Sequence, residues 1–123
     1  MIVDRGDGYV RCRMPFRADL VGHPDVGTMH GGVVTVLVDT AGGVAVAFTD
    51  ALPQATLDLR IDYVAGAQPG QPLFSDARVY EMTGDIAYVR ASCHHGDPEQ
   101  AFAHMTATYM IADRPELAAK PRT

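Results

Sequence analysis

Asp39 is the one acidic side chain in the apolar stretch from Gly31 to Phe48. The residues around it are mostly valine, alanine and glycine, which solvate a carboxylate poorly. An unpaired charge in such surroundings is costly to bury, so this residue should have either a polar partner or a chemical task. A carboxylate held in this way can act as a general base on water or as a nucleophile.

The stretch opens with His30, Gly31 and Gly32. If it is helical, these residues mark its N-terminus, where free backbone N–H groups point outward and favour negative charge. Such groups can stabilise an oxygen that becomes negative during a reaction. The spacing therefore combines a carboxylate with a potential oxyanion-binding end.

The length and composition of the stretch favour a helix. Gly42 and Gly43 disfavour one by about 1 kcal/mol each, but an unbroken apolar run of this length exceeds typical strands, which are the alternative. A helix that is apolar on nearly every side must be enclosed, and this one is too short and too rich in glycine for a convincing membrane span. Its small residues would let a sheet backbone approach closely. We expect it to end near residues 48–51, before Pro53.

Five strands are predicted around this helix, on the basis of apolar alternation and turn residues. They span residues 9–16, 54–65, 73–83, 86–94 and 100–112. A loop is expected over residues 17–29, and tight turns join the last four strands. One strand, a helix and four strands predict an α+β domain, with an antiparallel sheet of about five strands wrapped around one long central helix. The domain spans 1–123, with flexible tails at 1–8 and 113–123.

The composition excludes several classes of protein. A net charge of −5 argues against a nucleic-acid binder. Cys12 and Cys93 lack the spacing of metal ligands, and they permit a disulfide without requiring one. Such a low number of cysteines is typical of a protein in the reducing cytoplasm. No secretory signal is apparent. His94 and His95 fall at a turn, where we expect them to be solvated, and the lack of a third ligand argues against a metal site.

Three segments carry a resemblance to a known family: Gly27–Gly32, Leu37–Asp39 and Thr56–Tyr63, followed by Pro69 and Gly70. Together they resemble the hotdog-fold acyl-CoA thioesterases, in particular the phenylacetyl-CoA thioesterase (PaaI-like) branch, over about residues 9–112. The resemblance implies that the backbone N–H of Gly31 polarises the thioester carbonyl and that Asp39 is the base or nucleophile. His30 then supports catalysis or the local structure, and substrate binding falls to Gly32, Asp25, Thr35 and Ala65.

The same resemblance implies a partner subunit. Asp39 follows His30 by nine residues, which is about 13.5 Å along a helix. One chain's Asp39 therefore cannot serve its own Gly31, and family members are homodimers, often paired into tetramers, with sites shared between subunits. The implied substrate is an acyl-CoA with an aromatic or medium-chain acyl group. No metal or other cofactor is implied, and no membrane or nucleic acid partner.

Two departures from the family pattern keep alternatives open. Pro24 stands where relatives commonly have Asn, with Asp25 as the neighbouring substitute, and Ala65 stands where many have Ser or Thr. A non-catalytic acyl-CoA-binding protein therefore remains an alternative. A hydratase or dehydratase acting on acyl thioesters is another, although it would require a second Asp/His pair. Asp39 itself could be a structural carboxylate satisfied by Thr35, Thr40 or a partner chain.

Overall fold

The computed structural model describes residues 2–14, 21–23, 28–29, 31–68 and 70–114 of the 123-residue chain. Within these ranges it contains one helix, α1, over Gly31–Ala47. Its strands, in chain order, are β1 Ile2–Gly6, β2 Tyr9–Met14, β3 Val21–His23, β4 Thr28–Met29, β5 Ala51–Tyr63, β6 Leu73–Thr83, β7 Ile86–His94 and β8 Ala103–Asp113. A single 3-10 turn, Pro98–Gln100, separates β7 from β8.

Six strands form one antiparallel sheet in the order β1-β2-β6-β7-β8-β5, and β3 pairs with β4 separately. The helix packs against one face of the large sheet, where its buried residues meet the inward-facing side chains of β2, β6, β7 and β8. Hairpins place neighbouring strands side by side, and one apolar face then closes on the helix. This arrangement confirms the predicted α+β hotdog fold.

The sheet is larger than the sequence predicts. Ile2–Gly6 was expected to be part of a flexible tail, but it pairs with β2 as an edge strand. The expected loop over 17–29 contains the β3–β4 pair. Asp113 belongs to β8, and the Arg114 guanidinium donates to the backbone carbonyls of Ala47 and Thr49, where α1 ends. A cationic donor at the final carbonyls satisfies acceptors that the helix leaves open. The rest of the tail, 115–123, lies outside the described residues.

Strand β5 starts earlier than expected and includes Pro53. Proline cannot donate a ladder hydrogen bond, so a strand that contains it belongs at a sheet edge or a bulge. Both conditions hold here, because β5 is the edge strand beside β8 and its register shifts immediately after Pro53.

Within the described residues, the sheet covers one face of the helix. Val34, Val38 and Ala45 face the sheet and are buried, whereas Val36 on the opposite side is 61% exposed. The helix therefore packs against the sheet as predicted, and among the described residues its opposite side is left open at Val36.

The two cysteines are buried and free, and their positions exclude a disulfide. Cys12 on β2 and Cys93 on β7 both pair with Ser75 on the intervening strand β6. Two strand spacings, about 9.6 Å in total, exceed the Cα separation of up to about 7 Å that a disulfide can span.

His94 and His95 are not solvated, contrary to the sequence-based expectation. His94 is fully buried, accepts the Gly96 N–H at Nδ1 over 3.0 Å, and lies 3.0 Å from Asp76 Oδ2 through Nε2. His95 is half-buried, with the Gln68 N–H 2.9 Å from Nε2 and the Pro72 carbonyl 3.1 Å from Nδ1. Both rings hold turns in place through the backbone, which is a structural role.

The Asp76 carboxylate connects β2, β6 and β7 on the sheet face away from the helix. Arg11 donates to both of its oxygens, over 2.6 and 2.9 Å, and His94 is its third partner. Burial raises the pKa of Asp76, but hydrogen bonds from Arg11 and His94 outweigh burial, so this pKa lies below its usual value of 3.8.

We expect Asp76→Ala to lower the free energy of unfolding by about 2 kcal/mol at pH 7, because it leaves the buried His94 ring without its acceptor. Urea denaturation measures the loss. Because the folded-state pKa is lowered, this contribution is present above the unfolded-state pKa of about 4 and is lost as the pH falls below it, through the lowered pKa of the folded state. Asp62→Ala is the matched control, since its pair with Arg60 is largely exposed. Equal effects of the two variants would contradict the assignment.

Candidate active site

Strands β5 and β8 supply the polar partners of Asp39. Thr56 Oγ1, on β5, donates to Asp39 Oδ1 over 3.0 Å. The Tyr109 hydroxyl, on β8, donates to Oδ1 over 3.1 Å and to the backbone carbonyl of Asp39 over 3.0 Å. The carboxylate therefore has the partners that its half-buried position demands. They are Thr56 and Tyr109, and not the Thr35 or Thr40 suggested by the sequence.

The second carboxylate oxygen, Oδ2, has no hydrogen bond to any described residue. Asp39 lies in the wall of a pocket of about 190 Å³. The other lining residues are Gly43, Pro53, Gln54, Ala55, Thr56 and Tyr109. This volume admits a water molecule and more, so the carboxylate has one restrained oxygen and one that can meet a water.

Tyr109 is a hydrogen-bond donor in this arrangement. Its side chain is 2% exposed. Burial, together with the negative charge of Asp39, raises the pKa of the Tyr109 phenol far above its usual value of 10.0. The phenol therefore stays protonated over the whole physiological pH range, and its O–H group donates a hydrogen bond to Asp39.

Gly31 is the first residue of α1. Asp39 follows it by eight residues, about 12 Å along the helix axis, so within one chain the two groups cannot act on the same carbonyl. Pro24, Asp25 and His30 lie outside the described residues. Gly32 is exposed in the first turn of the helix.

Thr35 and Ala65 lie away from the pocket of Asp39. Thr35 is one turn nearer the helix start, and its hydroxyl is 3.0 Å from the Tyr63 hydroxyl. Ala65 follows β5, is exposed, and donates its N–H to the Phe102 carbonyl. It lines a second cavity of about 400 Å³ together with Gln68, His95 and other residues of the neighbouring turns. Within one chain, the structure thus brings neither Thr35 nor Ala65 into the pocket of Asp39.

A larger surface cavity, about 470 Å³, lies elsewhere and does not suit this chemistry. Its lining includes Asp7, Asp50 and Glu81. Three carboxylates disfavour the phosphate groups of a coenzyme A by charge repulsion. The charge of this cavity therefore makes it a poorer candidate than the smaller pocket beside Asp39.

Over the described ranges, no three His, Cys, Asp or Glu side chains are arranged to hold a metal ion. Among the residues that the structure describes, no helix is both long enough and apolar enough to cross a membrane.

Sequence reasoning missed Thr56 as a partner of Asp39, and it missed Tyr109 entirely. A signal was available for the tyrosine. It falls on the apolar side of an alternating strand, and a buried tyrosine hydroxyl usually finds a hydrogen-bond partner. The sequence alone does not show that the partner of Tyr109 is Asp39. That partner could be identified only once the pairing of β5 with β8 was known.

Comparison with known proteins places these features in a family. Residues 26–102 match the model of the thioesterase superfamily. Among curated relatives, a Halobacterium salinarum protein whose name gives esterase as its expected activity is 36% identical over 98 residues, covering 74% of this chain and 62% of that protein. Human acyl-coenzyme A thioesterase 13 is 27% identical over 88 residues, covering 71% and 61%. The matched part thus spans about three fifths of each relative.

Solved structures agree on the fold. A Streptococcus mutans protein whose crystal structure has acetyl-CoA bound superposes with a TM-score of 0.82 at 21% sequence identity, covering 92% of this chain and 88% of that one. At this identity the likeness concerns the fold alone. The family match covers more than half of the chain and includes both α1 and β5. The chain is a member of the thioesterase superfamily with the hotdog fold.

Proposed function

We propose that this protein hydrolyses an acyl-CoA thioester to the free acid and CoA, in sites shared between two subunits of a homo-oligomer. The observation that carries the proposal is the Asp39 carboxylate, with Oδ1 restrained by two donors and Oδ2 without a hydrogen bond to the described residues. The name of the human relative, acyl-coenzyme A thioesterase 13, and the acetyl-CoA bound to the Streptococcus mutans neighbour support this substrate class.

The reaction follows from elementary carbonyl chemistry. Asp39 Oδ2 accepts a proton from a water molecule as that water attacks the thioester carbon. Negative charge then develops on the carbonyl oxygen, where the Gly31 N–H of the second subunit stabilises it. Collapse of the tetrahedral intermediate breaks the C–S bond and releases CoA as a thiolate. Direct attack by Asp39, with hydrolysis of the resulting anhydride, is the second possible route. His30 and Gly32 are the supporting residues that the family resemblance implies.

The apolar surface of the chain supports a dimer. Val36 on α1 is 61% exposed, and Leu57, Tyr63 and Val64 on and after β5 are 48%, 49% and 64% exposed. Large exposed apolar side chains on the helix and on the edge strand are residues that a partner subunit would cover, and the open edge of β5 can add a further strand.

Two-fold symmetry connects this surface to the chemistry. Consider two helices that pack antiparallel about a two-fold axis. A residue that lies a given number of positions before the axis on one helix faces the residue that lies the same number of positions after the axis on the partner helix. Gly31 of one subunit faces Asp39 of the other if the axis passes near Thr35. Val36, next to that position, is an exposed apolar residue of the helix. The same packing would therefore bury Val36 and complete two sites. A pair of such dimers would form the tetramer common in the PaaI-like branch.

Aromatic, medium-chain and hydroxylated aryl acyl groups are all compatible with the valine- and alanine-rich helix, and Asp25, Thr35 and Ala65 are the proposed substrate-binding residues. A second candidate function, acyl-CoA binding without hydrolysis, is favoured by Pro24 and by Ala65, which offers no hydroxyl. A hydratase is the less favoured alternative, because it would require a second Asp/His pair in the site.

Release of free thiol from a panel of acyl-CoAs tests the proposal. Phenylacetyl-, benzoyl-, hexanoyl- and acetyl-CoA should be assayed side by side, with binding of each measured separately by calorimetry. Hydrolysis of at least one member, saturable in substrate, supports a thioesterase and identifies its acyl class. Saturable binding without any hydrolysis would instead establish the binding protein.

A further inference from the structure

The Tyr109 hydroxyl makes an unusual contact with Asp39. Its single proton is shared between two acceptors of the same residue, the backbone carbonyl at 3.0 Å and Oδ1 at 3.1 Å. A donor that bridges the main chain and the side chain of one residue restrains rotation of that side chain. Thr56 adds a second donor to the same Oδ1. Both contacts therefore act on one oxygen and leave Oδ2 for the pocket.

Gly42 makes room for this contact. A Cβ atom at Gly42 would lie 2.2 Å from the Tyr109 hydroxyl oxygen, 2.9 Å from Cζ and 3.2 Å from Cε of Met105. The ring is rigid and buried, so it could accommodate a methyl group only by withdrawing its hydroxyl from Asp39. Glycine inside a helix costs about 1 kcal/mol relative to alanine. Of the two glycines that disfavour a helix in the sequence, Gly42 is thus needed because it leaves room for the Tyr109 hydroxyl.

The neighbouring glycine lacks this constraint. A Cβ atom at Gly43 would meet Tyr109 Cε1 at 4.0 Å, which is ordinary van der Waals contact. Alanine substitutions at the two adjacent glycines therefore separate two effects. Both substitutions change the intrinsic helix propensity, but only Gly42→Ala removes the space that the Tyr109 hydroxyl needs.

We infer that Tyr109 is a positioning residue, whose hydroxyl, seated against Gly42, holds the Asp39 carboxylate with Oδ2 directed at the attacking water. The inference rests on the proposed hydrolysis. Its test therefore combines the kinetics of hydrolysis with the orientation of the Asp39 side chain, which can be measured without turnover.

Tyr109→Phe keeps the ring and removes the hydroxyl. We expect kcat to fall about 10- to 100-fold, with KM changed by less than about two-fold, because the lost contact orients the carboxylate for the transition state and does not bind the substrate. Tyr80→Phe, which changes an exposed tyrosine against the Arg90 side chain, is the matched control and should leave both quantities unchanged.

A second variant covers failure of Tyr109→Phe to fold. Gly42→Ala should also lower kcat with little change in KM, and it should be less stable to urea than Gly43→Ala. An unchanged kcat in the folded variants would overturn the inference.

A measurement without turnover separates this inference from the proposed function. The three-bond ¹³C and ¹⁵N couplings of Asp39, assigned with the help of Asp39→Asn, report the χ1 rotamer of its side chain in the wild type and in Tyr109→Phe. Couplings of a single rotamer in the wild type that become averaged in the variant support the contact even if no acyl-CoA is hydrolysed, in which case only the proposed function fails. The same couplings in both proteins overturn the inference whether or not the wild type is active.

Discussion

Asp39→Asn should reduce kcat for acyl-CoA hydrolysis by about 1,000-fold. An amide has the shape of the carboxylate but cannot accept a proton from water or attack a carbonyl. Thr56 and Tyr109 can still donate to the remaining amide oxygen, so the side chain should keep its place and the fold its stability. KM should change by less than about two-fold, because the lost interaction belongs to the transition state. Free-thiol release, with circular dichroism of the same samples, measures both quantities.

Asp58→Asn provides the control for this experiment. Asp58 also lies on β5, but it is exposed and pairs in register with Thr108 on β8, beyond the bulge that follows Thr56. The same loss of charge there should leave hydrolysis unchanged. Hydrolysis that survives Asp39→Asn would remove Asp39 from the mechanism, although the fold would stand.

The parts of the fold that could be predicted depend on local patterns. The helix followed from an apolar run too long for a strand, and β6 and β7 followed from alternation on either side of Gly84 and Asp85. Strand β1 was missed because Ile2–Gly6 contains two apolar residues among charged ones and glycine, and all five are exposed. Such a segment is held as a strand by its pairing with β2, which is not a property of its own sequence.

The candidate site could be predicted only where one segment contains it. Asp39 and Gly31 lie on one helix, and the family resemblance implies a role for both. Tyr109 is 70 residues from Asp39, and their contact depends on the sheet order that puts β8 beneath the helix. The histidines show the same limit. His94 is turned to Asp76 by the register of β6 and β7, and a turn-like sequence does not reveal that inward direction.

A shared site makes an unusual prediction about mixed dimers. Gly31→Pro removes the proposed oxyanion donor, and proline is well suited to the first residue of a helix because that N–H has no helical partner. Gly31→Pro and Asp39→Asn should each abolish hydrolysis as homodimers. A mixed dimer of one Gly31→Pro and one Asp39→Asn subunit, isolated with two affinity tags, contains one site with both groups intact. It should recover about half of the wild-type kcat per dimer, because a two-fold symmetric dimer has two equivalent sites.

The reciprocal dimer is the control that decides between the two site geometries. It pairs a wild-type subunit with a subunit that carries both substitutions, so each shared site contains one defective group and the dimer should be inactive. If each site were instead built within one chain, the results would be reversed: the first dimer would be inactive and the second would keep about half of the activity. The distance of about 12 Å between Gly31 and Asp39 along the helix supports the shared arrangement. Activity in the second dimer but not in the first would show that each chain hydrolyses its substrate alone.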